Sequence, residues 1–343
     1  MRYILAILLT FSLLLSLAAC GKPAPTTLGG QADTPTKAPT IAPTTQPAPE
    51  TVELVLTYEN EEGTLLGNHV GAWRMDFTYG SDHRGGTVVL TLPDETVNGS
   101  FTCDEHYNIN SITFQTEGAT ISFLMTFDHA HRLTSATSSV TENGATQMRY
   151  GLKYMYDDAG RTLYQEQHHV GQMLSITATE YRANGQVLRQ TNIVQPEMEG
   201  ASPTTMVTSY QYDSADHLQA IDYCDAEGNL YQSLTFAHSK EGENDCYTTT
   251  MGGESMVMVF NPQGKLIRQD SYSGEALTNR NELEYDAKGN VLRQTSWASY
   301  SNATVVKVYT YTDSGRLASY SQILDGETYL QQRTTFETME IPQ

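Results

Sequence analysis

The chain has 343 residues, with 20 Lys or Arg against 40 Asp or Glu and a formal charge of −20. Nucleic-acid binding needs clustered positive charge to displace counterions from phosphates, so this balance argues against a nucleic-acid partner. With 21 Tyr and only 17% charged residues it is not a disordered acidic tail either, and its length allows a large core.

Arg2 is followed by an apolar run from Tyr3 to Leu15, broken only by Thr10 and Ser12, and then by Ser16-Leu17-Ala18-Ala19-Cys20. A run this short, with a charged start and a small-residue end, reads as a secretory signal rather than a membrane span. Leu17-Ala18-Ala19-Cys20, directly after such a run, resembles the lipobox of bacterial lipoproteins. The resemblance implies a signal peptide over residues 1–19, cleavage before Cys20 and lipidation of the Cys20 thiol. Two or three acyl chains hold a protein stably on a bilayer. The expected partner is therefore a lipid membrane reached through acylated Cys20, on its extracytoplasmic side.

Residues 20–50 form the second expected segment, a lipidated cysteine and a tether. Between Gly21 and Glu50 stand seven of the twelve prolines and seven threonines, with almost no large apolar side chain. Such a segment cannot bury enough surface to fold, and proline favours extended stretches. At ~3.1 Å per residue it reaches roughly 90 Å when fully extended.

Residues 51–343 form the head, which is a repeat. The clearest copies are Tyr156-Asp157-Asp158-Ala159-Gly160-Arg161, Tyr285-Asp286-Ala287-Lys288-Gly289-Asn290 and Tyr311-Thr312-Asp313-Ser314-Gly315-Arg316. Copies beginning at Tyr181 and Phe260 are close to these, and weaker ones begin at Phe127, Tyr212 and Phe236. Phe77 and Phe101 extend the aromatic series backwards, although the turns after them match poorly. The period is about 25 residues.

An aromatic anchor, Asp or Asn, two tolerant residues and Gly suit a type I turn closed by a residue at positive φ, which joins two strands with a bulge. Gly160, Gly185, Gly264, Gly289 and Gly315 are the expected structural turn glycines, with His131 and Asp216 standing in where Gly is absent. A second turn recurs at Gly144, Gly171, Gly228, Gly252, Gly274, Asn302 and Gly326. Apolar residues two before several anchors give the period-two alternation of half-buried strands. The expected fold is all-β, made of serial antiparallel β-hairpins that form a coiled sheet, open shell or partial barrel.

The Tyr-Asp-x-x-Gly-Arg/Asn-Leu core resembles the YD repeat of bacterial RHS proteins and of the teneurin shell. That resemblance covers about 200 residues of the head and implies a long antiparallel sheet coiling into a spiral or shell. The hairpins also resemble those of MORN-type repeats. A toxin-encapsulating role is not part of the expectation, because no RHS core domain stands ahead of a variable toxin segment.

Candidate chemistry is sparse. Cys224 and Cys246 fall at similar heights on neighbouring hairpins, yet free, mostly buried thiols are expected, and Cys103 has no mate. The His129-x-His131 and His168-His169 pairs read as solvated turn and strand residues, since adjacent strand residues face opposite ways. The Asp-rich turns lack the converging oxygens of a calcium loop. No metal, no cofactor, no catalytic residue and no enzyme activity are expected, for no nucleophile motif, zincin motif or phosphate loop is present. Tyrosines off the anchor phase remain, and Tyr300, Tyr320 and Tyr329 are the candidate binding surface. The expected function is a surface-displayed binding or adhesion module for glycan or protein. A structural or envelope-assembly lipoprotein is the second reading, and a cell-wall or polysaccharide-processing enzyme the third.

Overall fold

The computed structural model describes residues 51–61, 63–65, 68–196 and 202–340, so the signal segment, Cys20 and the tether lie outside the described residues. Every regular element among them is a strand. The first group is β1 (Thr51–Asn60), β2 (Gly63–Leu65), β3 (Asn68–Val70), β4 (Trp73–Tyr79), β5 (Gly85–Thr91), β6 (Thr96–Cys103), β7 (Ile109–Thr116) and β8 (Ala119–Phe127). Then come β9 (Leu133–Glu142), β10 (Ala145–Tyr156), β11 (Thr162–His169), β12 (Gln172–Tyr181), β13 (Val187–Val194), β14 (Thr204–Tyr212), β15 (Leu218–Cys224), β16 (Leu230–Thr235) and β17 (Ala237–Glu241). The series ends with β18 (Asn244–Met251), β19 (Glu254–Phe260), β20 (Leu266–Ser273), β21 (Ala276–Tyr285), β22 (Val291–Ala298), β23 (Ala303–Tyr311), β24 (Leu317–Leu324) and β25 (Glu327–Glu340).

Apart from the small β2–β3 pair, these strands make one 23-stranded antiparallel sheet. From β4 on, each strand pairs with the next along the chain except β16 with β17, and β1 pairs with β25 on one side and β4 on the other. The sheet thereby curls into a nearly closed barrel. It keeps one unsealed seam, where β16 and β17 succeed one another across Phe236 with β16 laddered to β15 and β17 to β18.

The turns follow the expected chemistry. The Gly160 N–H donates to the Asp157 carbonyl at 2.9 Å, and the Asp157 N–H donates to the Arg161 carbonyl at 3.0 Å. Asp157 Oδ1 accepts the Arg161 N–H at 2.8 Å, which is why Asp leads the turn. Gly160, Gly185, Gly264, Gly289 and Gly315 have φ of 83, 91, 72, 89 and 92°, and His131 and Asp216 replace Gly at 60 and 64°. Most anchor strands end in a bulge, as between Glu284 and Tyr285.

Three readings of the repeat need correction. Phe77 and Phe101 are not anchors; they lie two residues ahead of the true anchor positions, Tyr79 and Cys103. The turn after Cys103 matches the others, with the Tyr107 N–H donating to the Asp104 carbonyl and Tyr107 at φ 64°. A cysteine in the anchor place hid it. Burial, with the nearby Asp104 charge, pushes that thiol up to about 11, so it stays protonated and unreactive. Phe236 also lacks the turn, because Ala237-His238-Ser239-Lys240 supplies neither Asp nor Gly, and the strand runs on to a hairpin at Gly242. Phe336, finally, is an unpredicted last anchor.

Neighbouring units are fastened at the anchor end. The Tyr156, Tyr181, Tyr212, Tyr285 and Tyr311 hydroxyls donate to carbonyls of the preceding unit, at Leu133, Thr162, Val187, Leu266 and Val291. Burial pushes the Tyr311 hydroxyl up to about 12, so it remains a donor. The turn's basic residue then lies over the next anchor ring, as Arg132 over Tyr156, Arg161 over Tyr181, Lys265 over Tyr285 and Arg316 over Phe336. Side chains also bridge turn to turn: Arg132 donates to the Asp157 carbonyl and Lys265 to the Gly289 carbonyl at 2.6 Å. At the junction Arg316 donates to the Glu53 carbonyl of β1.

The apolar core is uneven. Trp73, Met75, Phe77, Val88, Phe101, Ile112, Phe114, Phe123, Leu152 and Tyr154 fill the barrel beside β4–β10. A small second cluster joins Leu218, Tyr247 and Phe260. Cys103, Cys224 and Cys246 are free thiols.

Candidate functional site

Beyond the core the anchor-bearing face turns polar, and the cause lies in strand alternation. Along β21, Tyr285, Leu283, Asn281 and Asn279 share one face. Opposite Leu283 and Asn281 stand Gln294 and Ser296 of β22, and opposite Asn281 and Asn279 stand Gln269 and Ser271 of β20. The anchor end of each strand is thus aromatic, and the middle carries amides and hydroxyls. Asn281 Oδ1 accepts from Gln294 Nε2 at 3.0 Å and from Ser296 Oγ at 2.9 Å.

Here a groove of about 350 Å³ opens, lined by Gln269, Asn279, Asn281, Ser296, Trp297 and Tyr300 among others. Tyr300 sits in the hairpin between β22 and β23, whose tip is set by Asn302 at φ 50° and by the Ser299 N–H donating to the Thr278 carbonyl. Its side chain is 90% exposed, although a phenol ring is normally covered. The charged residue in the lining is Arg280, which donates to buried Asp270 at 2.7 and 2.9 Å. That pair fixes the guanidinium at the wall, and the Asp270 hydrogen bond pushes the Arg280 guanidinium further up. No carboxylate lines the groove. Side-chain amides and hydroxyls offer donors and acceptors in alternation, and the exposed Tyr300 ring offers a flat face, whereas Trp297, paired with Arg280, lies on the opposite face of β22. Such a set can grip a ligand rich in hydroxyl groups with apolar C–H faces.

Of the three candidate tyrosines, Tyr300 and Tyr320 are not brought together. Tyr300 lines the groove, while Tyr320 is 7% exposed and packs against Tyr309 with ring centroids 5.1 Å apart, as a core residue. Tyr329 belongs to β25 and its side chain lies outside the described residues. Strand parity explains Tyr320, which pairs with Tyr309 on the anchor-bearing face.

Sequence reasoning passed over the amides and Trp297. The signal was present in Arg189-Gln190-Thr191-Asn192, Arg268-Gln269-Asp270-Ser271 and Arg293-Gln294-Thr295-Ser296, where polar residues recur in the buried phase after a turn. Of the histidine pairs, His131 stands in a turn at φ 60°, whereas His168 is half-buried rather than solvated and is 2.6 Å from Glu166.

No family model matches the chain. No curated protein matches it either. Solved structures with a similar outline include the TcdB2-TccC3-Cdc42 complex, at 12% identity and TM-score 0.31, covering 78% of this chain and 16% of that one. The Photorhabdus luminescens Tc holotoxin pore matches at 12% identity and TM-score 0.30, covering 74% and 15%. A porin-like protein from Bacteroides uniformis matches at 10% identity and TM-score 0.29, covering 82% and 96%. The chain spans about a sixth of the toxin chains' length. Likeness at this level carries no argument about function.

Proposed function

We propose that the chain is an extracytoplasmic lipoprotein, anchored through acylated Cys20, whose β-repeat head binds a glycan in the groove between β20 and β23. One observation carries the reading: Tyr300, 90% exposed, stands at a groove whose walls are amides and hydroxyls. Keeping such a ring in water has no packing benefit, whereas stacking on a sugar ring does. The Leu17-Ala18-Ala19-Cys20 motif and the Pro/Thr-rich segment after it support presentation of the head away from a lipid surface.

A glycan array and a cell-wall pulldown with residues 51–343, which carry every strand of the barrel, test the reading. Tyr300→Ala weakens binding about fivefold or more, since a stacked aromatic contributes on the order of 1 kcal/mol at an interface. Tyr300→Ala leaves the thermal midpoint unchanged, because nothing covers the ring. Absence of any glycan ligand, or equal binding by Tyr300→Ala and the parent, overturns the proposal in favour of a structural lipoprotein.

A further inference from the structure

The unsealed seam gathers three metal-ligating side chains from three elements. His217 closes the turn between β14 and β15, His238 lies on β17 and Asp245 on β18. One ligand atom of each lies within 4.8 Å of the other two, and all three residues are half-buried. The two imidazoles stack with centroids 3.8 Å apart and planes 19° from parallel. Asp245 Oδ1 is 2.6 Å from His238 Nε2, and Asp213 Oδ2 is 3.1 Å from His217 Nδ1. Tyr247, 1% exposed, floors the site with its ring 5.0 Å from His238.

Two imidazole nitrogens and a carboxylate are the donor set of a zinc site with an open position. We infer that His217, His238 and Asp245 bind one divalent zinc-class ion, which staples the turn before β15 to β17 and β18 across the seam. Tetrahedral bonds of ~2.1 Å put ligand atoms about 3.4 Å apart, so the widest separation closes by about 1.4 Å at most, while His238 Nε2 and Asp245 Oδ1, now 2.6 Å apart, move apart. Rotation of the two rings out of their stack supplies that movement, since an ion must lie near both ring planes and stacked planes share no such point. Lys240, whose Nζ is 2.7 Å from Asp245 Oδ1, is the cation the metal displaces; it is 56% exposed and free to swing into water. Asp213 or a water takes the fourth position.

The seam gives the site a physical role. Elsewhere neighbouring units are held by backbone ladders, but β17 has none to β15, and the ion supplies a link there.

The test uses the purified full-length chain, stripped with chelator and titrated with Zn2+ alone, with Mg2+ as the control. The expected result is one Zn2+ per chain, no response to Mg2+, and a thermal midpoint raised by about 5–10 °C at a hundredfold excess over Kd. His217→Gln and His238→Gln each weaken zinc binding at least tenfold, whereas His129→Gln in an exposed turn does not. Should a variant fold poorly, Co2+ bound to the parent chain gives the intense visible absorption of a tetrahedral site, independent of any substitution. Absence of zinc binding, weak octahedral Co2+ absorption, or parent-like affinity in both histidine variants overturns the inference.

Discussion

Gly289→Val tests the turn and the lock between units together. Gly289 has φ 89°, where a β-branched residue costs about 1–3 kcal/mol. A Cβ there would lie 2.0 Å from Lys265 Nζ and 2.9 Å from its Cε, so the ammonium must leave. Lys265 then loses its bond to the Gly289 carbonyl and its position 4.9 Å from the Tyr285 ring centroid. Those two contacts add about 1.5–2 kcal/mol. Gly315 is the control: φ is 92° and a Cβ would meet nothing within 4 Å, so Gly315→Val costs the strain alone. The difference corresponds to roughly 3–8 °C in thermal midpoint, larger for Gly289→Val. In a Lys265→Met background the two valine variants converge, because the lock is already gone. Ala287→Ser, exposed at a tolerant turn position, leaves the midpoint where it was. Equal midpoints for the two valine variants in the parent background would refute the lock. Parent-like midpoints for both would refute the positive-φ turn.

Tyr311→Phe removes the hydroxyl bonded to the Val291 carbonyl at 2.9 Å and is expected to cost about 1 kcal/mol, read from denaturant midpoints. Burial pushes the Asp157 and Asp128 carboxyls up, but the Arg161 and Arg132 groups that hydrogen-bond them outweigh it and hold both below the usual carboxylate range. Their stabilisation is therefore present above a pH of about 4, the unfolded value, and is lost as pH falls through the lower folded values. Asp157→Asn should flatten the acid limb of a stability–pH profile and cost most near neutrality; an unchanged limb would contradict this. Cys20→Ala should abolish incorporation of a tagged fatty acid in growing cells, and continued labelling would remove the lipobox from the account.

The repeat was legible because its turns are chemically specific. Asp at the first turn position and Gly at positive φ have few substitutes, and even His131 and Asp216 could be recognised as such. One hidden copy has an anchor that is not aromatic: Cys103 fills the same place as Tyr156, and a search for rings steps over it to Phe101. Ring closure was illegible for a different reason. Whether β1 pairs with both β25 and β4 depends on summed twist and curl along the sheet, which no local pattern encodes. The groove and the His217–His238–Asp245 cluster arise between consecutive hairpins, so no single copy of the repeat displays either one. Tyr320 shows the converse error, since being off the anchor phase does not place a side chain outside; parity relative to the paired strand does.

The double pairing of β1 bears on self-association. An antiparallel sheet ordinarily ends in two strands whose free N–H and C=O groups invite a second molecule to dock and propagate. Here Asn60 faces both Gln332 of β25 and Trp73 of β4, so one strand of 10 residues hides both borders at once. Loss of β1 would not merely trim the molecule; it would open two complementary borders on the same particle. Copies so exposed could join end to end without limit, so this strand keeps the protein from polymerising.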